Sequence, residues 1–204
     1  MIKLERSFYK KTAIVLAKEL LGKYLVFNNG NDKLIGKIVE TEAYMGFIDK
    51  AAHSYNGRRT PRVEVMYGEE GHAYVYMIYG MYNCFNVVAA EKDVAQAVLV
   101  RALEPIEGLE IMSLNRYKKP LDQLKKAQII GLTNGPGKLC KAFGITRELN
   151  GEDLTKDRLY ICTGEDENFQ IVETTRIGID YAEEAKDFPW RFYIKGNKFV
   201  SKPY

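Results

Sequence analysis

Apolar residues recur along the chain in two periods, and the switches between them outline the elements. Residues 11–22, KTAIVLAKELLG, gather Ile14, Val15, Leu16, Leu20 and Leu21 on one side of a helical turn, with Gly22 as the stop. KYLVF then predicts a strand, a turn falls at Asn29-Gly30-Asn31, and KLIGKIVETEAYM returns as the second arm of a hairpin. Residues 47–72 show no period and carry Gly57, Pro61, Gly68 and Gly71, which predicts a long loop or a set of short turns. HAYVYMIYGMYNCFNVVAA reads as two strands, or one bulged strand, bent at Gly80-Met81.

Further along, AVLVRAL (97–103) predicts a strand and IEGLEIMSLNRYKK (106–119) a helix. LTNGPGKLCKAFGI (132–145) predicts a loop feeding a short helix, with Pro136 near its start and Gly144 at its end. RLYICT, QIVETTRIGI and a C-terminal pair, WRFYI and KFVS around Gly196-Asn197, read as strands. Strands and helices do not alternate strictly, so the fold class expected is α+β, in one domain spanning 1–204.

The return strand carries the first candidate chemistry. Glu40, Glu42 and Tyr44 share one face by the period of two. A solvated face is the ordinary reading of such a pair of carboxylates. Against it, the strand runs straight into the aperiodic loop, where a carboxylate beside aromatics is placed to hold a water as general base. Tyr44, Tyr74, Tyr76, Tyr79, Tyr82 and Phe85 crowd two nearby stretches. A sheet core accounts for Tyr74 and Phe85; the other tyrosines have the chemistry of stacking platforms for planar bases. His53 stands alone, with no triad partner in sequence, which is more often a satisfied or surface histidine. Arg58, Arg59 and Arg62 form a basic run, and Lys138 follows a Gly-Pro-Gly turn; each taken singly is ordinary surface.

Composition narrows the classes. The chain has 204 residues, 46% hydrophobic and 28% charged, the balance of a globular protein. The net charge of +3 permits a polyanionic partner without arguing for one. Cys84, Cys140 and Cys162 lie far apart and only His53 and His72 are present, so neither a disulfide framework nor a metal site is expected. The charged start MIKLERSFYKK and the lack of a long apolar run predict no signal peptide and no membrane span.

Six blocks, taken together, resemble the alkyladenine (3-methyladenine) DNA glycosylase family. They are VETEAYMG (39–46), AAHSYNGRRTPR (51–62), YVYMIYGMYNCFNV (74–87), VLVRALEPIEG (98–108), NGPGKLCKAFGI (134–145) and RIGI with the later WRFYI. They occur in the family's order over almost the whole chain. The resemblance implies a curved, largely antiparallel β-sheet flanked by helices, with a protruding β-hairpin. It implies a monofunctional enzyme that flips alkylated or deaminated purines out of double-stranded DNA, needs no cofactor or metal, and works as a cytoplasmic or nucleoid-associated monomer. By position, it makes Glu42 the base that activates water, with Arg101 beside that water. Tyr44, His53 and Tyr76 would stack on the flipped purine, Asn86 would reject guanine, and Ile179 would line the pocket. Tyr79 would intercalate with Met81 beside it. Read from the residues themselves, Arg58, Arg59, Arg62 and Lys138 together with the tyrosines fit a rim that grips the DNA backbone. Asp180 stands where some members carry glycine, which leaves the pocket's far wall open. A damaged-DNA-binding module without activity and a hydrolase of free nucleosides remain as alternatives; a helix-hairpin-helix glycosylase, suggested only by Gly135-Pro136-Gly137, is opposed by the β-rich pattern.

Overall fold

The structure is a computed structural model that describes residues 1–165 and 168–202. Two short helices, α1 (Arg6–Tyr9) and α2 (Ala13–Glu19), precede the hairpin of β1 (Tyr24–Asn28) and β2 (Lys33–Tyr44). A second hairpin, β3 (Ala73–Ile78) and β4 (Tyr82–Ala89), leads into β5 (Gln96–Glu107). Helices α3 (Leu109–Tyr117), α4 (Lys126–Ile130) and α5 (Pro136–Phe143) follow. The chain closes with β6 (Leu159–Cys162), β7 (Ile171–Thr174) and β8 (Arg191–Ile194).

The strands form one curled antiparallel sheet in the order β3-β4-β5-β2-β1-β6, with β8 on β2 and β7 on β8. β2 organises it. One edge pairs with β5; the other pairs first with β1, over Lys33–Lys37, and then with β8, over Glu40–Glu42. A strand of twelve residues is long enough for two partners on one edge, and its centre is covered on both sides. α2 packs Ala13, Leu16 and Ala17, with Leu20 just after it, into the main core, which also takes Val39 and Ala43 from β2. Thr41 Oγ1 fixes that contact by donating to the Ala17 carbonyl at 2.8 Å. α5 buries Leu139, Cys140 and Phe143 in the same core. Removing a side chain such as Leu16 there costs about 2–5 kcal/mol.

The fold is α+β, with helices flanking an antiparallel sheet. Residues 47–72 are turns and irregular chain with short 3-10 segments at Gly46–Ile48, Tyr55–Gly57 and Glu64–Tyr67, in agreement with their lack of period. Three expectations need correction. The strand at 97–103 runs on to Glu107, because Pro105 and Glu107 continue the ladder with β2, and the helix expected over 106–119 begins after Gly108, whose φ is +84°. QIVETTRIGI is a strand only to Thr174; Arg176 is buried and ion-paired, and RIGI leaves the sheet with it. WRFYI and KFVS do not pair: β8 is occupied on both edges by β2 and β7, and KFVS folds back through the Val200 N–H bond to the Asn197 carbonyl.

Candidate active site

Two register shifts aim the central side chains. Between Ile38 and Glu40 the partner on β5 advances one residue, and between Glu40 and Thr41 it advances two, so Val39 and Arg101 are the bulged residues. Bulges re-aim side chains and sharpen the local twist. Here the Arg101 guanidinium turns onto the face shared by Glu40 and Glu42, with Nε 3.1 Å from Glu40 Oε1 and Nη1 3.2 Å from Glu42 Oε1.

The two carboxylates are fully buried, so the solvated-face reading is set aside. Their partners separate them. Glu40 accepts from Arg191 Nε at 2.7 Å and from Ser201, through the backbone N–H at 2.6 Å and the hydroxyl at 2.9 Å. It is the interior pin between β2, β8 and the C-terminal turn. Glu42 instead accepts from the Tyr44 hydroxyl at 2.9 Å and from the Ile177 N–H at 2.8 Å. Two carboxylates with Arg101 and Arg191 give a buried cluster of zero net charge, which limits the cost of burying each ion.

A cavity of about 510 Å³ opens beside this cluster. That lies within the usual range for small-molecule sites. Tyr44, Arg101 and Ile177, the three partners of Glu42, all line it; Glu42 sits directly behind them. The facing wall comes from β3, β4 and the turn before His53. Tyr76 meets the His53 ring edge-on at 4.7 Å and lies 5.2 Å from the Tyr74 ring at 35°. The Tyr74 hydroxyl and His53 Nδ1 are 2.9 Å apart. Burial, helped by Arg62 and Arg58, pushes His53 down to about 4, so its ring is neutral at physiological pH. Burial also holds the Tyr44 and Tyr76 phenols well above the ordinary value, and both remain neutral. Asn86 lies behind Tyr74 and donates to its carbonyl at 3.0 Å. Ile179 is buried against Ala51 and Tyr44 and supplies the remaining apolar wall.

The β3–β4 hairpin rises over the cavity mouth. Its tip has Tyr79 at φ +50° and Gly80 at φ +68°, with Met81 N–H donating to the Ile78 carbonyl at 3.2 Å. Positive φ at both central residues matches the twist of the flanking strands. Tyr79 is 84% exposed and Met81 68%. Just below the tip, at the start of β4, Tyr82 packs on α5, where a Cβ on Gly137 would lie 3.0 Å from the ring. Glycine there serves this close approach.

The basic residues differ in their surroundings. Arg59 is held by Glu64 at 2.6 Å and by Asp93 at 2.9 Å. Arg62 lies over the Tyr76 ring at 5.3 Å and reaches the cavity rim. Arg58 is exposed, and Lys138 is exposed with its ammonium on Asn134 Oδ1 at 2.8 Å. Asp180 is exposed and does not line the cavity, whose far wall is Ile177, Gly178, Ile179 and Tyr181. Sequence reasoning missed Tyr181, 70% exposed at the mouth, and the buried pair Asp49–Arg176. Tyr181 and Asp49 sit in no periodic run, and Arg176, inside the stretch read as a strand, is 127 residues from Asp49.

Residues 7–198 match the family model described as methylpurine-DNA glycosylase. The chain is 60% identical over 200 residues to a protein of Clostridium acetobutylicum, covering 98% of each. It is 57% identical over 201 residues to one of Desulfitobacterium hafniense, covering 98% of this chain and 99% of that one. Both relatives carry 3-methyladenine DNA glycosylase as a provisional name. The curled sheet, its cavity and these matches define a DNA glycosylase, an N-glycosyl hydrolase of DNA repair. Within that class, the chain belongs to the methylpurine-DNA glycosylase family.

Proposed function

We propose that this chain, acting as a single-domain monomer over 1–204, excises alkylated or deaminated purines from duplex DNA and leaves abasic sites. 3-Methyladenine and hypoxanthine are the type substrates, and the genome in the cytoplasm or nucleoid is the target. The purine flips into the cavity and stacks on Tyr44, Tyr76 and His53. Tyr79, with Met81 beside it, fills the gap left in the stack, and Arg58, Arg62 and Lys138 grip phosphates. Asn86 and Ile179 shape the base pocket. Glu42 takes a proton from a water as the water oxygen bonds to C1′. The C1′–N bond breaks, and its electron pair leaves with the purine. An alkylated purine already carries the positive charge that makes it a good leaving group; hypoxanthine gains one by protonation. Arg101 holds the carboxylate in place as the sugar becomes cationic. The reaction proposed is that of a monofunctional hydrolase without a lyase step.

The observation that carries this reading is that Glu42, unlike Glu40, is bonded by three residues that themselves form the cavity wall. The test is Glu42→Gln, assayed for hypoxanthine excision from a defined duplex. Excision is expected to fall by about 10²–10⁴-fold, with duplex binding retained. Excision at the wild-type rate would remove Glu42 from the mechanism. Binding without excision by the wild-type protein would favour a non-enzymatic damage-binding module.

A further inference from the structure

Asp49 and Arg176 form a fully buried bidentate ion pair, with Nη1 2.6 Å from Oδ2 and Nη2 2.8 Å from Oδ1. The same two nitrogens donate to the carbonyls of Ala43 and Ala185, each at 3.0 Å. Asp49 also accepts from the backbone N–H groups of Met45 and Ala51, each at 3.0 Å. The guanidinium lies 4.8 Å from the Tyr44 ring centre and 5.0 Å from that of Trp190. One ion pair thus ties the end of β2, the turn before His53 and the chain from Arg176 to Ala185. These three segments carry three cavity walls: Tyr44, Ala51 with His53, and Ile177 through Ile179.

Arg176 is adjacent in sequence to Ile177, whose N–H reaches Glu42 Oε1. The guanidinium lies over the ring whose hydroxyl reaches Glu42 Oε2. Two of the three donors that orient Glu42 are therefore set by this pair. We infer that Asp49 and Arg176 are positioning residues that fix the Glu42 carboxylate for water activation, through the Ile177 N–H and the Tyr44 hydroxyl. The inference rests on Glu42 as the water-activating base. A pair serving stability alone would need neither of those links. A lysine at position 176 keeps the charge but lacks the planar fork that makes two parallel bonds and two carbonyl contacts.

The test compares Arg176→Lys and Asp49→Asn with wild type on a duplex carrying hypoxanthine, by single-turnover excision with enzyme in excess. Binding to a duplex carrying an abasic-site analogue is measured alongside. Displacement of a catalytic group by about 1 Å costs roughly 10²-fold in rate. Excision is expected to fall by about that factor, while the dissociation constant for the analogue stays within about threefold. In a Glu42→Gln background, Arg176→Lys is expected to add nothing further. Wild-type excision by Arg176→Lys, equal losses in rate and binding, or a full additional loss in the Glu42→Gln background would each overturn the inference. Should Arg176→Lys and Asp49→Asn fail to fold, Tyr44→Phe keeps the pair and the ring and removes only the hydroxyl that reaches Glu42. It is expected to slow excision without weakening binding, and a wild-type rate there overturns the inference as well. Failure of the underlying reading is distinct, because then Glu42→Gln itself excises normally.

Discussion

The Tyr44 hydroxyl donates to Glu42 Oε2 at 2.9 Å from two positions along the same strand face. The residue proposed to stack on the base is thereby also a hydrogen-bond partner of the residue proposed to activate water. The two roles separate by substitution. Tyr44→Phe keeps the ring and loses the donor; a hydrogen bond to a charged group contributes about 1.5–3 kcal/mol. Single-turnover excision is expected to fall about tenfold with little change in binding. Tyr44→Ala is expected to weaken binding to lesion-bearing duplex as well. Equal binding by the two variants would remove Tyr44 from the stack.

His53 gives a pH dependence whose sign follows from burial. Its folded-state value is about 4, against about 6.5 when unfolded. Above pH 6.5 the ring is neutral in both states and contributes no difference. Between pH 6.5 and 4 the unfolded chain takes up a proton that the folded protein refuses, so stability is lost as pH falls. Urea midpoints at pH 7 and pH 4.5, compared with those of His53→Asn, isolate this group from the carboxylates. The wild type is expected to lose on the order of 2 kcal/mol more than the variant over that interval. Parallel pH curves would mean that His53 titrates normally in the fold.

Arg59 is engaged by Glu64 and Asp93, whereas among the described residues no carboxylate pairs with Arg58 or Arg62. A phosphate contact releases about one counterion, so its loss lowers the salt slope of DNA binding by about one. Arg58→Ala and Arg62→Ala are each expected to do this, measured as log K against log salt. Arg59→Ala is expected to leave the slope unchanged and to alter stability little, as exposed pairs do. A lowered slope for Arg59→Ala would show that its ion pairs give way to DNA.

The same residues show how far the sequence could be read. Alternation and the Asn-Gly turn marked both arms of the first hairpin, because those signals are local. Period two put Glu40 and Glu42 on one face, but could not tell a pinned carboxylate from one at the cavity. Arg191 and Ser201, which make that difference, lie 151 and 161 residues from Glu40. RIGI has the β-branched content of a strand and is not one, because Arg176 follows its ion pair out of the sheet. The bulge at Arg101 leaves no mark in composition; it exists only against the register of β2. Positions such as Asn86, Tyr79 and Arg101 were singled out for a role through family resemblance, and the fold brings Asn86, Tyr79 and Arg101 to one cavity.

Tyr79 offers the sharpest separation of stability from function. It is 84% exposed at a left-handed position, so its side chain contributes little to the fold. Tyr79→Ser and Tyr79→Gly are both expected to alter unfolding free energy by no more than about 0.5 kcal/mol, with glycine the better suited to the backbone. If Tyr79 fills the gap behind a flipped base, its loss leaves the unpairing and unstacking cost without compensation. That cost is a few kcal/mol for a well-paired base and less for a mispaired one. Excision of hypoxanthine is therefore expected to fall by tenfold or more when the lesion is stably paired, and by much less when it stands in a mismatch. The measurement is single-turnover excision on two duplexes that differ only in the opposing base. An equal defect on both, or none on either, would place Tyr79 outside the flipping step.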